Sequence, residues 1–258
     1  MVQRLSLFSA IDDDSFELLI STISTLSGRP PVIFANFSHV AIPDPTYDIE
    51  KVNVKNQLVE QTRIRIMQDI PFEKIKANEY SYRICSTLTK DDLPIERDYL
   101  KLLITNSSMD SRPSSLSIWD IPSAGKDRKV CMQSMTESVI SDTGGSESSI
   151  NAFLKELGYV PDYQFVQIGT KFYMESGLVF QVYKIWNVND SEESTNLITK
   201  GGFLIEAYVN VAKITDIEAV NQGTKQLLNL KRELREYIDL VVPDRKCMDP
   251  RIGHLNDF

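Results

Sequence analysis

Apolar and polar side chains alternate through most of the closing third of the chain. The alternation covers residues 163–174, 178–188 and 203–212, where apolar side chains recur at every second position. This period is typical of strands with one face buried and the other wet. Because antiparallel sheets tolerate one wet face, we interpret these runs as the closing half of an antiparallel barrel.

An amphipathic helix is predicted after these strands, over residues 216–238, with Gly223 as a site for a kink or split. Its apolar face is predicted to comprise five side chains: Ile217, Val220, Leu227, Leu234 and Ile238.

The opening of the chain alternates over residues 2–9 and again over 32–42, which predicts two further strands. Between them, Asp12, Asp13 and Asp14 predict a helix start through capping and favourable charge, and Gly28 predicts its end. The buried stripe of this helix is predicted to comprise five apolar side chains: Phe16, Leu19, Ile20, Ile23 and Leu26.

A second face of the same helix carries one leucine and small hydroxyl side chains. Leu18, Thr22 and Thr25 lie on this face, and their small size would let a partner helix approach closely. The competing interpretation is a plain solvated face. These three residues are our candidate partner-binding site.

The middle of the chain predicts strands over residues 60–67, 80–88, 115–121 and 129–140, the last two as a hairpin. A short helix is predicted from Pro94 to Leu103, within a flexible insertion over residues 89–114. Another helix is predicted over 147–157, capped by Ser146 or Ser148, with an apolar stripe of Ile150, Phe153, Leu154 and Leu157. Together these elements indicate an α+β fold, mainly antiparallel β: one domain over residues 1–258, built as a closed or near-closed β-barrel flanked by a few helices.

Composition narrows the classes of partner. The net charge of -8 argues against direct nucleic-acid binding, which needs a concentrated basic surface. The apolar runs are too short to span a bilayer, so we expect no membrane contact. Cys85, Cys131 and Cys247 are widely spaced and odd in number, which predicts reduced thiols. Any partner is expected to be a protein.

No catalytic set is evident in the sequence. Only His39 and His254 are present, and nucleotide-binding, hydrolase and zinc motifs are absent, so no catalytic residue, cofactor or metal ligand is predicted. A barrel of this kind can host a metal-dependent triphosphatase, which needs carboxylates at i and i+2 on one strand face. Glu206 is followed at i+2 by Tyr208, and the inward positions of the late strands are expected to be Phe, Val, Ile, Leu, Tyr and Gln. Asp48 and Glu50 have the spacing but lie in a predicted loop.

Two alternatives stay open at this point. A tunnel-type phosphohydrolase is suggested by Arg63, Arg65 and Lys171 on predicted strands, although Arg63 and Arg65 are more typical of a solvated face. A barrel that binds a small apolar ligand is suggested by the aromatic residues of the strands, although core filling is the stronger explanation of them.

Three stretches of the chain carry a family resemblance. They are VQRLSLFSAIDDDSFELLISTISTLSGRPP, SLSIWDIPSAGKDRKVCMQSM and the series from LGYV through QIGTKFYMESGLVF and TKGGFLIEAYVNVA to LLNLKRELREYIDLVVPDRKCMDPRIGH. In this order they resemble the family of subunit 18 of the Mediator complex of RNA polymerase II transcription. The resemblance covers both ends of the chain but not the region from about residue 71 to 113.

The resemblance implies a barrel similar to the triphosphate tunnel fold but without its activity. It also implies a nuclear subunit of the Mediator head module, which dimerises with the related barrel of subunit 20. A helix from the C-terminal part of subunit 8 is the second implied partner, and RNA polymerase II is contacted only indirectly. On this basis the face with Leu18, Thr22 and Thr25 is expected to receive a partner helix.

Overall fold

The computed structural model describes residues 1–46, 60–75, 93–105, 113–125, 128–141, 149–188 and 195–252. The strands in these ranges are β1 (Val2–Asp12), β2 (Val32–Pro43), β3 (Ile64–Asp69), β4 (Ser114–Trp119), β5 (Cys131–Ile140), β6 (Tyr159–Tyr173), β7 (Val179–Val188), β8 (Thr195–Leu197) and β9 (Gly202–Val211). The α-helices are α1 (Phe16–Ser27), α2 (Arg97–Thr105), α3 (Ile150–Glu156) and α4 (Ile217–Leu234).

Eight of these strands close into an antiparallel barrel. Their order is β6, β2, β3, β4, β5, β1, β9 and β7, and β7 pairs back to β6 to complete the ring. The short strand β8 pairs with the end of β7 outside the ring. The predicted α+β class with a closed, mainly antiparallel barrel is therefore confirmed.

Helix α1 follows a 3-10 turn, Asp13–Ser15, and no aspartate side chain caps it. The predicted aspartate cap is therefore wrong. Asp13 instead accepts a hydrogen bond of 2.7 Å from the Nζ of Lys184, whose side chain is fully buried. A buried ammonium is costly without a partner, so this pair fixes the start of α1 against β7. Gly28 ends the helix as predicted, in the left-handed conformation at φ 64°.

Helix α4 packs along β9 and β1 and runs unbroken through Gly223, so the predicted split is wrong. A Cβ on Gly223 would lie 2.9 Å from Cδ1 of Leu5 and 3.2 Å from Cγ1 of Val209. The glycine therefore permits close contact between helix and sheet.

Three apolar residues assigned to buried stripes are largely exposed. They are Leu26 (43%), Leu157 (49%) and Ile217 (71%). Leu157 and Leu26 lie at the C-terminal ends of their helical segments, and Ile217 is the first residue of α4. Helical periodicity identifies which face of a helix is apolar but not how far along the helix the barrel covers that face. The predicted burial of these three residues was wrong for this reason.

Several boundaries also differ from the sequence prediction. Helix α3 begins at Ile150 and is capped by Ser149, which accepts a hydrogen bond from the backbone N of Ala152, so the Ser146 or Ser148 cap is wrong. Within the predicted insertion over 89–114, the structure describes 93–105 and 113–114, and α2 buries Tyr99, Leu100 and Leu103. The predicted strand over 80–88 lies outside the described residues.

Cys131 and Cys247 are free thiols, and burial raises the pKa of Cys131. In the described part of the chain, no helix combines the length and apolar character needed to cross a membrane.

Candidate functional site

The candidate partner-binding residues lie on the outward side of α1. Leu18 is 61% exposed, Thr25 is exposed and Thr22 is half-buried. The opposite side of the helix packs on the barrel through buried Phe16, Ile20 and Ile23, with Phe16 stacked on Phe203 at 4.3 Å. The structure therefore brings Leu18, Thr22 and Thr25 together on one accessible face, as predicted from their spacing.

The hydroxyl groups on this face are satisfied within the helix. The Oγ1 of Thr22 donates to the carbonyl oxygen of Leu18 at 2.8 Å, and that of Thr25 donates to Ser21 at 2.9 Å. Hydroxyls bonded back to the preceding turn leave the threonine methyl groups free for apolar contact. Together with Leu18, these methyl groups form a shallow apolar stripe.

Leu26 extends this stripe, because it lies four residues after Thr22 in the same helix and is also exposed. We define Leu18, Thr22, Thr25 and Leu26 as the α1 outer face. Sequence analysis missed Leu26 because its spacing also fits the buried stripe. An apolar stripe of this length is suited to an amphipathic helix from a partner, and it carries no group for catalysis.

The barrel lumen is the second candidate site. It contains a cavity of about 570 Å³ that is lined by charged, amide and aromatic side chains. On β6, Phe165, Gln167 and Lys171 line the cavity, whereas Val166, Ile168 and Phe172 belong to the fully buried core on the other face.

The predicted content of the inward positions is therefore wrong. Glu206 and Lys171 line the cavity beside the expected Tyr, Phe and Gln side chains. Both faces of these strands are enclosed, because one face lines the lumen and helices cover the apolar outer face. The strand period alone predicted one buried face and one face exposed to solvent. Lys171 lies an even number of residues from Phe165 and Gln167, and Glu206 lies two residues from Tyr208. This spacing, which places each charged residue on the same strand face as the aromatic ones, could have identified them from the sequence.

Arg4 and Glu206 form an ion pair inside the lumen, so each neutralises the charge of the other. Arg4 lies 3.5 Å from the carboxylate of Glu206, which also accepts a hydrogen bond of 2.6 Å from Gln181. The guanidinium of Arg4 lies 4.1 Å from the ring centroid of Tyr208 and 5.0 Å from that of Trp119. These contacts fix Arg4 and Glu206 as part of the barrel wall.

Arg65 does not lie on a solvated face, so that interpretation is wrong. Its guanidinium donates to Ser38 Oγ at 2.8 and 3.0 Å and to Gln167 Oε1 at 2.9 Å inside the barrel. It also lies 4.9 Å from the ring centroid of Phe165. Burial lowers the pKa of Arg65 from its ordinary value, but arginine stays charged in proteins. Arg63, by contrast, pairs with Asp162 at 2.8 Å near the surface.

Lys171 lines the lumen two strand rows from Gln167. Its Nζ lies 4.2 Å from the ring centroid of Phe34. Burial lowers the pKa of Lys171, and the negative charge of Asp69 opposes this shift. Within the described ranges, Lys171 makes no hydrogen bond or ion pair.

The C-terminal segment closes one end of the lumen. Residues 247–250 line the cavity there, and the carbonyl oxygen of Met248 accepts a hydrogen bond of 3.1 Å from Gln133. Arg251 pairs with Asp249 at 2.6 Å and with Glu60 at 2.6 Å, which fixes the segment to the barrel rim.

The lumen offers no evident arrangement for a catalytic metal. Over the residues that the structure describes, no three His, Cys, Asp or Glu side chains cluster as a metal site. The carboxylates that line the cavity are Glu137 on β5, Glu206 on β9 and Asp249 in the C-terminal segment, and Ser115 donates a hydrogen bond to Glu137. Asp48 and Glu50 lie outside the described residues.

Comparison with known proteins gives one consistent family. The sequence model of the family described as Med18 protein matches residues 3–251. The Eremothecium gossypii protein named Mediator of RNA polymerase II transcription subunit 18 is 62% identical over 258 residues, covering 100% of both chains. The Saccharomyces cerevisiae protein of the same name is 37% identical over 306 aligned residues, covering 99% of each chain.

A solved structure shares the fold. A chain from the structure of the Schizosaccharomyces pombe Mediator head module aligns with a TM-score of 0.62. The alignment covers 92% of this chain and 97% of that one, at 14% sequence identity. At this identity the likeness is one of fold.

Proposed function

Because the chain belongs to the Med18 protein family, we propose that it is a non-enzymatic subunit of the Mediator head module and acts as a protein-binding scaffold. Its process is regulation of RNA polymerase II transcription, and its location is therefore the nucleus. The observation that carries this function is the 62% sequence identity, over the full length of both chains, with a protein named Mediator of RNA polymerase II transcription subunit 18. The family match to residues 3–251 agrees with it.

Two protein partners follow from this function. The related barrel of Mediator subunit 20 forms a heterodimer with this chain, and the C-terminal helix of subunit 8 docks on the α1 outer face. The exposure of Leu18 and Leu26 supports this docking, as do the inward-turned hydroxyls of Thr22 and Thr25. RNA polymerase II is reached through the rest of the head module.

Direct nucleic-acid binding is not part of this function. The chain carries 36 acidic and 28 basic residues, and two of the basic groups, Arg65 and Lys171, face the lumen instead of the outer surface. A footprint on the nucleic-acid backbone needs clustered surface cations.

Coexpression with subunits 20 and 8 tests the scaffold function. We expect the three full-length chains to co-purify and to elute as one complex of equal stoichiometry in size-exclusion chromatography. Elution of this chain as a monomer in the presence of both subunits would contradict the proposal. Manganese-dependent release of phosphate from triphosphate by the purified chain would contradict its non-enzymatic character.

A tunnel-type triphosphatase is the second candidate, and the lumen cations are the observation in its favour. This chemistry requires two neighbouring carboxylates that point into the barrel from one strand. β9 does not carry such a pair, since the residue that follows Glu206 on the same strand face is Tyr208. The scaffold function accounts for the family membership without this chemistry, and we favour it.

A further inference from the structure

Strand β5 extends beyond its neighbour β1 at one end of the barrel. It pairs with β1 only as far as Met135, which is opposite Val2, whereas its pairing with β4 continues to Ile140. Residues 136–140 therefore have no strand on the β1 side within the described parts of the chain, and we call them the β5 edge. The first four of them are exposed, with Val139 at 74%. An exposed strand edge is a template for pairing with another chain.

The backbone groups of the β5 edge that lack a strand neighbour follow from the regular ladder with β4. The carbonyl oxygen of Ser134 accepts a hydrogen bond from the backbone N of Asp120, on the β4 side. The register with β4 shows no shift from there to the end of β5. Because backbone groups alternate in direction along a strand, the N–H and C=O groups of Glu137 and Val139 point to the β1 side.

An apolar groove adjoins the β5 edge. It has a volume of about 230 Å³, and its lining residues are Met1, Val2, Gln3, Lys213, Ile214 and Thr215. Val2 pairs with Met135, the last residue before the β5 edge, so the register brings the groove and the edge together. The volume is below the range of about 300–1,000 Å³ typical of small-molecule pockets, and it suits one anchor side chain of a protein partner.

A buried amide group in the groove lacks one of its hydrogen bonds. Gln3 is only 2% exposed, and its Oε1 accepts a hydrogen bond of 2.9 Å from the Oγ of Ser134. The Nε2 of Gln3 has no hydrogen-bond partner in the described part of the chain. A buried donor without a partner is destabilising, so the groove favours a ligand that brings an acceptor, such as a backbone carbonyl oxygen.

The rim of the groove carries a positive charge. Lys213 is exposed there, and no acidic side chain among the described residues forms an ion pair with it. Ile214, the next residue, is 53% exposed and gives the rim an apolar side chain. An apolar residue followed by an acidic one would therefore match this rim in both polarity and charge.

We propose that the β5 edge and the groove together bind an extended segment of a protein partner, which adds a strand to β5 and places an apolar side chain in the groove. An acidic residue follows that side chain and pairs with Lys213. The backbone of the segment pairs with Glu137 and Val139, and one of its carbonyl oxygens accepts a hydrogen bond from Gln3. No residue of the α1 outer face takes part, so this site does not depend on the docking proposed above.

Selection of peptides on the folded full-length chain tests this site. The probe is a displayed library of random peptides of about ten residues, long enough to cover the β5 edge and the groove. We expect the enriched peptides to share an apolar residue followed by Asp or Glu. The dissociation constant of the most enriched peptide, made with a fluorescent label, is then measured for the unchanged chain and four variants.

Val139→Pro removes the N–H group that faces the partner but no hydrogen bond to β4, and we expect it to weaken the peptide at least about tenfold. Val139→Thr is the matched control, since it keeps this N–H group, and it should leave the affinity unchanged. Ile214→Lys places a charge in the groove and should also weaken binding at least about tenfold. Its control is Ile198→Lys, at an isoleucine of similar exposure (58%) outside the groove. Thermal melting checks that each variant is folded.

The proposal is overturned if no peptide is enriched, or if each variant binds the peptide as tightly as its control. Dimerisation of the chain alone in size-exclusion chromatography, abolished by Val139→Pro, would assign the β5 edge to a second copy of the chain and overturn its assignment to a partner. The peptide is expected to bind the complex with subunits 20 and 8 as tightly as the chain alone. Its exclusion from that complex would contradict a separate site for a further partner.

Discussion

Replacement of Thr22 by tryptophan is expected to weaken docking of the subunit 8 helix at least about tenfold, or about 1.4 kcal/mol. Thr22 lies at the centre of the α1 outer face, one turn from Leu18 and about one turn from Thr25. An indole group there would hold the partner helix away from the threonine methyl groups. The measurement is the dissociation constant of a fluorescent subunit 8 C-terminal peptide.

The fold of the chain is expected to survive this change, because Thr22 is not among the buried residues of α1 and its hydroxyl donates to the carbonyl oxygen of Leu18 within the helix. Thermal melting of the variant should therefore match that of the unchanged chain. Gln222→Trp is the matched control, since Gln222 is exposed on another helix, α4. Equal affinity of Thr22→Trp and Gln222→Trp for the peptide would remove the α1 outer face as the docking site.

Replacement of Gly169 by alanine is expected to destabilise the chain by about 3 kcal/mol. A Cβ at this position would lie 2.1 Å from the carbonyl oxygen of Val182 and 2.6 Å from Cα and Cβ of Tyr183. These atoms belong to β7, which pairs with β6 to close the ring. The added methyl group would therefore force apart the two strands at the closing seam of the barrel.

Chemical denaturation measures this loss as a lower free energy of unfolding. The control is Gly177→Ala in the turn between the same two strands, where φ is 82° and a Cβ would meet no atom within 4 Å. Its cost is the left-handed backbone strain alone, about 1 kcal/mol. If the two variants lost equal stability, close approach of β6 and β7 would not explain Gly169.

The alternation of side chains predicted most of the barrel but not what its two faces contact. The assignment of β6 side chains to opposite faces follows from a period of two, which residues 163–174 display clearly. The same period fits a sheet with one wet face and a barrel with a polar lumen and an apolar exterior under helices. Which of these occurs depends on long-range strand order, which local pattern does not encode.

The candidate site shows the same division between local and long-range information. Helical spacing placed Leu18, Thr22 and Thr25 on one face, because that grouping depends only on 3.6 residues per turn. Whether Leu26 is covered depends on the extent of the barrel wall beneath α1, and Arg65 was misassigned because its partners, Ser38 and Gln167, are distant in sequence.

Affinity isolation of the epitope-tagged full-length chain from the cells that express it tests its membership of the Mediator head most directly. Quantitative mass spectrometry is expected to recover the Mediator head subunits, including subunits 20 and 8, in stoichiometric amounts from nuclear extract. Recovery of the tagged chain without these subunits, under conditions in which tagged subunit 20 retains subunit 8 and the rest of the head, would contradict the account.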